Sequence, residues 1–107
     1  MFPNFKPFLE LLPDGWFATP PDRAELLTAE LQRELPPEHL LGAVAVNVVA
    51  HRDGTDDILC WHRDSPERFT VVHLSWLGRT EINAKHPTVE SDGTFDDFLA
   101  YERRFSA

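Results

Sequence analysis

Two apolar runs, ILCWHR at 58–63 and FTVVHLSW at 69–76, are separated by only five polar residues, DSPER. A link that short cannot carry a parallel crossover, which takes about a dozen residues, so the runs are predicted to pair as an antiparallel hairpin. Upstream, AVAVNVVAHR at 43–52 is apolar on both faces, as in a strand covered from two sides. The stretch RDGTDD joins it to the hairpin, with Asp53 and Gly54 at the centre of a turn. A fourth short strand is placed at PTVES, 87–91.

Helical spacing brackets this sheet. In TPPDRAELLTAELQREL, 19–35, Ala24, Leu27, Leu31 and Leu35 share one face, and Pro36 and Pro37 stop the helix. Thr19 is the expected N-cap, with Pro20 in the first turn and Asp22 as the acid of a capping box. Leu26 points away from the apolar face and is either exposed or covered by the N-terminal arm. At the other end, Thr94 and Asp97 form a second capping box ahead of a stripe of Phe95, Phe98, Leu99 and Phe105. Arg103 and Arg104 complement the dipole of its last turn. Glu102 falls inside the stripe, so either the helix ends before it or it has a partner. The expected architecture is one α+β domain, 1–107, with residues 1–18 as an apolar arm. A small antiparallel sheet of three to four strands is flanked by an N-terminal and a C-terminal helix.

A chain of 107 residues, 42% hydrophobic with eight Phe and three Trp, can bury a core without disulfides or a structural metal. Cys60 is the single cysteine, so no disulfide forms within the chain, which fits a reducing cytoplasm. Pro3, Pro7 and Pro13 break the apolar N-terminus, which therefore does not read as a secretory signal. No stretch approaches the roughly 20 apolar residues that span a bilayer. The expectation is a cytoplasmic protein.

The formal net charge is −8. Residues 1–50 carry three basic and seven acidic side chains, and residues 51–107 seven basic and eleven acidic. Such a surface repels phosphate backbones, which argues against nucleic acid, and it is drawn to a basic protein by long-range steering. Charge that only keeps a domain soluble would give the same total.

Alternation along 69–76 puts Val72, Leu74 and Trp76 on one face and Phe69, Val71, His73 and Ser75 on the other. His73 is therefore expected on the less apolar, open face of an edge or near-edge strand, bonded to Asp56 or Asp57 and helping to fix register. Four constellations compete for a functional role. His51, His62, His73 and Cys60, with Asp53, Asp56 and Asp57, include zinc-ligand types, but no CxxC or HExxH spacing is present, and no metal or other cofactor is expected. Ser75, His73 and Asp56 or Asp57 supply the residue types of a hydrolytic triad, without the glycine-rich turn that exposes a nucleophile. HRD at 51–53 lacks the asparagine that a kinase loop needs five residues beyond its aspartate. Asp56 and Asp57, adjacent before a strand, point in opposite directions, which opposes joint acid–base work.

The fourth is an acidic and aromatic surface. Asp53, Asp56, Asp57, Trp61, His62, His73, Glu90 and Asp92 form the expected partner-facing set, since acids around aromatic anchors suit a basic protein. Asp96 and Asp97 are assigned more simply to the helix N-terminus.

The stretch DDILCWHRDSPERFTVVHLSWLGRTE resembles a family of small bacterial proteins of uncharacterised role, with a DD-[VI]-L strand, a turn and a VVHL-[ST]-W-x-G strand. Asp56, Asp57, Ile58 and Leu59 match the first element, and Val71 through Trp76 with Gly78 the second. Pro87 and Thr88 match the segment before a C-terminal helix. The resemblance implies a compact cytoplasmic domain and transfers no catalytic residue. In size and charge the chain is also similar to immunity proteins and antitoxins. The leading expectation is a non-catalytic, acidic binding domain of immunity type, directed at a basic protein such as a toxin. The alternatives are a small hydrolase or metal-dependent enzyme using His73, Ser75, Asp56 and Asp57, and a homodimer packed through the Val72–Trp76 face.

Overall fold

The computed structural model describes residues 5–76 and 86–104. Its elements run α1 (Lys6–Leu9), β1 (Trp16–Ala18), α2 (Pro21–Glu34), β2 (Val46–Arg52), β3 (Asp57–His62), β4 (Phe69–His73), β5 (Thr88–Gly93) and α3 (Phe95–Arg103). The class is α+β, and the sheet has five strands in the order β1-β2-β3-β4-β5, every neighbour antiparallel. The expectation of three to four strands falls short by β1, which lies within residues 1–18, expected as an apolar arm. The arm also supplies α1. Among the described residues no helix is long and apolar enough to cross a membrane.

Strand register assigns each side chain to a face. Cys60 pairs with Val48 and with Thr70, and Ile58 with His51 and Val72, so these residues share the α2 side. There Leu27, Leu31, Leu41, Val46, Val48, Ile58, Cys60, Val72 and Leu74 form one core. Leu59 pairs with Ala50 and Val71, and Trp61 with Phe69, on the opposite side. The second core lies there: Trp16, Val49, Ala50, Leu59, Trp61, Phe69, Val71, Phe95 and Phe98. A register shift between Val48 and Ala50 lets Val49 join Ala50 in this core. The molecule is thus a three-layer sandwich, with α2 on one face of the sheet and α1 with α3 on the other.

This arrangement corrects the reading of β4. The face of Phe69, Val71 and His73 is not an open one: Phe69 and Val71 are buried, and only His73, at the strand end, reaches solvent. Trp76 does not follow Leu74 inward. Its φ of 59° turns the chain out of the strand, leaving it 44% exposed. Val72 and Leu74 are covered within the chain, and Trp76 is the large apolar member of the Val72–Trp76 face that stays exposed.

The helix termini are half as expected. Thr94 accepts from Asp97 N while Asp97 Oδ2 accepts from Thr94 N, a complete capping box. Phe105, assigned to the same apolar stripe, lies outside the described residues. The N-cap of α2 is Pro20, with no side-chain cap. Thr19 does not cap, because its hydroxyl is engaged with His51 Nδ1 at 2.8 Å, tying the β1–α2 link to β2. Leu26 is exposed, since the arm packs on the far side of the sheet. On that side Phe8 meets Phe69 and Phe95 at centroid distances of 5.1 and 5.0 Å, and Trp16 meets Phe98 edge-on at 5.1 Å. Such pairs add about 0.5–1.5 kcal/mol each beyond area burial.

Candidate functional site

The β2–β3 turn, the end of β4 and the start of β5 meet α3 at one edge of the sandwich. Register places Asp57 opposite His73 and His73 opposite Thr88. A shift between Val71 and Val72 in the β4–β5 ladder leaves Glu90 unpaired between Val89 and Ser91. A cleft of about 290 Å³ opens here, lined by Arg52, Thr55, Asp57, His73, Glu90 and Tyr101.

His73 Nδ1 donates to Asp57 Oδ1 at 2.9 Å, so of the two acids expected from the sequence, Asp56 and Asp57, the partner is Asp57. The other oxygen, Oδ2, lies 3.3 Å from Arg52 Nε, an ion-pair distance at which the buried Nε–H still lacks a hydrogen-bond acceptor. Arg52 also pairs with Glu102 Oε2, and Glu102 Oε1 accepts the Trp16 indole N–H at 2.8 Å. Glu102 therefore belongs inside the apolar stripe: it holds α3 to β1 and β2 through two charge-assisted bonds. Tyr101 OH donates to Glu90 Oε2 at 3.4 Å. Burial raises the Tyr101 phenol above its ordinary range, and the negative charges of Glu90, Asp57 and Glu102 raise it further. The field in the cleft is negative.

One ligand atom each from Asp57, His73 and Glu90 lies within 4.8 Å of the others. The sequence placed Asp57, His73 and Glu90 in one partner-facing set but joined no metal set that included Glu90. The metal combination built on His51, His62 and Cys60 is not assembled. His51 is engaged with Thr19 at the β1 side. His62 and Cys60 are buried on the α2 face, away from His73. Burial pushes the Cys60 thiol up to about 12, which removes it as a thiolate ligand or nucleophile.

The other members of the predicted partner set separate. Trp61 is buried, packs against Phe5 at 5.1 Å and donates its indole N–H to Pro66 O at 3.0 Å. It is a core residue and cannot serve as a surface anchor. His62 is 2% exposed, so it too is withdrawn from the surface. It belongs to a polar chain in which Thr70 Oγ1 donates to Asp92 Oδ1 at 2.7 Å and accepts from His62 Nε2 at 2.7 Å. Arg68 closes that chain with two bonds to Asp92, at 2.9 and 2.7 Å. Ser75 does not line the cleft, and its backbone N–H goes to Glu34 at 2.8 Å, so the triad has a base and an acid but not its expected serine. Asp56 points away from Asp57, as alternation required, and accepts the Trp76 indole N–H at 2.9 Å.

That last contact marks a second surface, which the sequence reading missed by placing Trp76 inside. A small recess on the α2 side is bordered by Arg23, His51, Thr55, Asp56 and Trp76. Phe17, 52% exposed, has its ring centroid 6.3 Å from that of His51 at the same border. Asp53 and Asp56 on the β2–β3 turn are exposed. Comparison with family models, with curated proteins and with solved structures finds no match for this chain.

Proposed function

We propose that this chain is a non-catalytic acidic binding domain that engages a basic protein, in the manner of an immunity-type inhibitor, through the β2–β3 turn and the aromatic residues beside it. The observation carrying this reading is the exposed Trp76, its indole pinned by Asp56, with exposed Phe17 across the His51 border. Large aromatic side chains held in place at low entropic cost, next to carboxylates, have the composition of an interface anchor. The arrangement of cations supports it. Arg33, Arg52 and Arg68 are ion-paired with Glu30, with Asp57 and Glu102, and with Asp92, so three of the ten Lys and Arg side chains are neutralised within the chain against a formal net charge of −8. The test is affinity capture by the immobilised full chain at rising ionic strength. A basic protein is expected to be retained at about 0.1 M salt and released towards 1 M, as the Debye length falls from about 10 to 3 Å. Retention unchanged across that range, or no basic protein above a bare-matrix control, overturns the reading.

A second reading, a small hydrolase, is favoured by the Asp57–His73 pair lining a cleft. There His73 is the base and Asp57 orients it. Ester or phosphoester hydrolysis by the purified chain that disappears in His73→Ala supports this reading, and no turnover in the wild type removes it.

A further inference from the structure

Three carboxylates and one guanidinium meet around the cleft at the start of β3, the end of β4 and the start of β5: Asp57, Glu90, Glu102 and Arg52. Their charges leave a surplus of two negative units. Glu102 is the partner that keeps Arg52 occupied, through a direct contact and with the support of Trp16. Asp57 thus shares Arg52 with Glu102, Glu90 has no ion pair among the described residues, and the residue that faces both Asp57 and Glu90 is His73.

From this juxtaposition we infer that Asp57, His73 and Glu90 form a binding site for a divalent transition-metal ion, of which zinc is the representative. The donor set is one imidazole nitrogen and two carboxylate oxygens, all within 4.8 Å of one another. Ligands about 2.0–2.2 Å from a shared zinc ion lie no further apart than roughly twice that distance, so modest side-chain movement closes the site. The mixed nitrogen and oxygen set favours zinc over magnesium or calcium, which prefer oxygen alone. A divalent ion also cancels the surplus charge. Each ligand comes from a different strand, with Glu90 at the β4–β5 register shift, two residues beyond Thr88, the partner of His73. Neither proposed function is needed for this inference.

Binding asks two things of the present contacts. Asp57 exchanges its hydrogen bond to His73 and its ion pair with Arg52 for the ion, while Arg52 retains Glu102. His73 coordinates as neutral imidazole, so its single ring proton then resides on the nitrogen turned away from the metal. Three protein ligands leave further positions of the ion open towards the cleft.

The test is calorimetric titration of zinc into the full chain, with cobalt as a spectroscopic probe. Saturable binding of one zinc per chain is expected, undisturbed by millimolar magnesium, and cobalt is expected to give visible absorption bands from the bound ion. His73→Ala and Glu90→Gln should each weaken zinc binding at least about tenfold and abolish the cobalt bands. Both side chains are solvent-exposed, so the variants should keep the wild-type circular dichroism, and Asp64→Asn, at an exposed position on the β3–β4 turn, serves as the acidic control that binds as wild type. No saturable zinc binding by the wild type overturns the inference. So does zinc binding that survives both substitutions, because the ion would then be held elsewhere.

Discussion

The carboxylate of Glu102, on α3, accepts the indole N–H of Trp16, on β1, at 2.8 Å across 86 residues of chain. The same carboxylate pairs with Arg52, whose guanidinium carbon lies 5.1 Å from the centroid of the Trp16 ring. One buried acid thus ties the first strand, the second strand and the last helix together. Glu102→Ala leaves the Trp16 N–H without an acceptor and Arg52 with Asp57 alone. We expect a loss of about 3 kcal/mol, at the lower end for a broken buried pair because Asp57 remains. Arg63→Ala, at an exposed side chain with no ion pair among the described residues, should cost no more than about 0.5 kcal/mol. Urea denaturation of both variants checks the ranking, and equal losses would refute it.

The chain His62–Thr70–Asp92–Arg68 predicts two steps of acid lability. Burial lowers the His62 pKa below 6.5, and the positive charge of Arg68 lowers it further while Asp92 opposes. Because the folded chain takes up that proton less readily than the unfolded chain, its stability is lost as pH falls below 6.5 through the folded value. The hydrogen bonds from Arg68 hold the Asp92 carboxyl below 3.8, so a second loss follows as pH falls below that value. His62→Gln should remove the first step and Asp92→Asn the second in urea midpoints measured against pH. An unchanged acid limb in both variants would contradict the assignment.

Glu34 predicts a slope of the opposite sign. It is buried and accepts the backbone N–H groups of Ser75 and Trp76, each at 2.8 Å. Burial raises its pKa above 4.5, and its hydrogen bond with Glu30 adds to the rise against those two donors. The folded chain therefore holds this proton more tightly than the unfolded chain. The stability it confers is full below pH 4.5 and declines as pH rises through the folded value. Glu34→Gln should flatten that decline. It should also lower overall stability by about 1–3 kcal/mol, because an amide presents only one oxygen to two donors. A decline unaltered in the glutamine variant would exclude Glu34 as its source.

Cys60 is fully enclosed, with its thiol pushed up to about 12. Alkylation by iodoacetamide at pH 8 should be negligible in the folded chain and prompt in denaturant. Prompt labelling without denaturant would show that the α2 layer does not cover it as described.

What the sequence made legible was local. The Thr94–Asp97 cap depends on residues three apart. The Asp57–His73 pair follows from one hairpin whose short link sets its register. β1 escaped because three residues between Gly15 and Pro20 show no periodicity, and they are a strand only because β2 offers an edge. Trp61 and Trp76 were exchanged, buried for exposed. Alternation correctly put Trp76 on the face of Leu74, but it carries no sign of the positive φ that ends the strand there. Glu90 stands at a register shift and meets Tyr101 through helix packing, neither of which leaves a mark in residue spacing.

On the proposed reading, Trp76 and the acids beside it form a recognition surface for a basic protein. That reading is tested most directly by the dissociation constant of the captured partner for the wild type, Trp76→Ala and the double variant Asp53→Asn with Asp56→Asn. Trp76→Ala is expected to lose about 2 kcal/mol or more, as for an anchor residue. The double variant should show slower association and a shallower dependence on salt. Wild-type affinity and an unchanged salt dependence in both variants would contradict it.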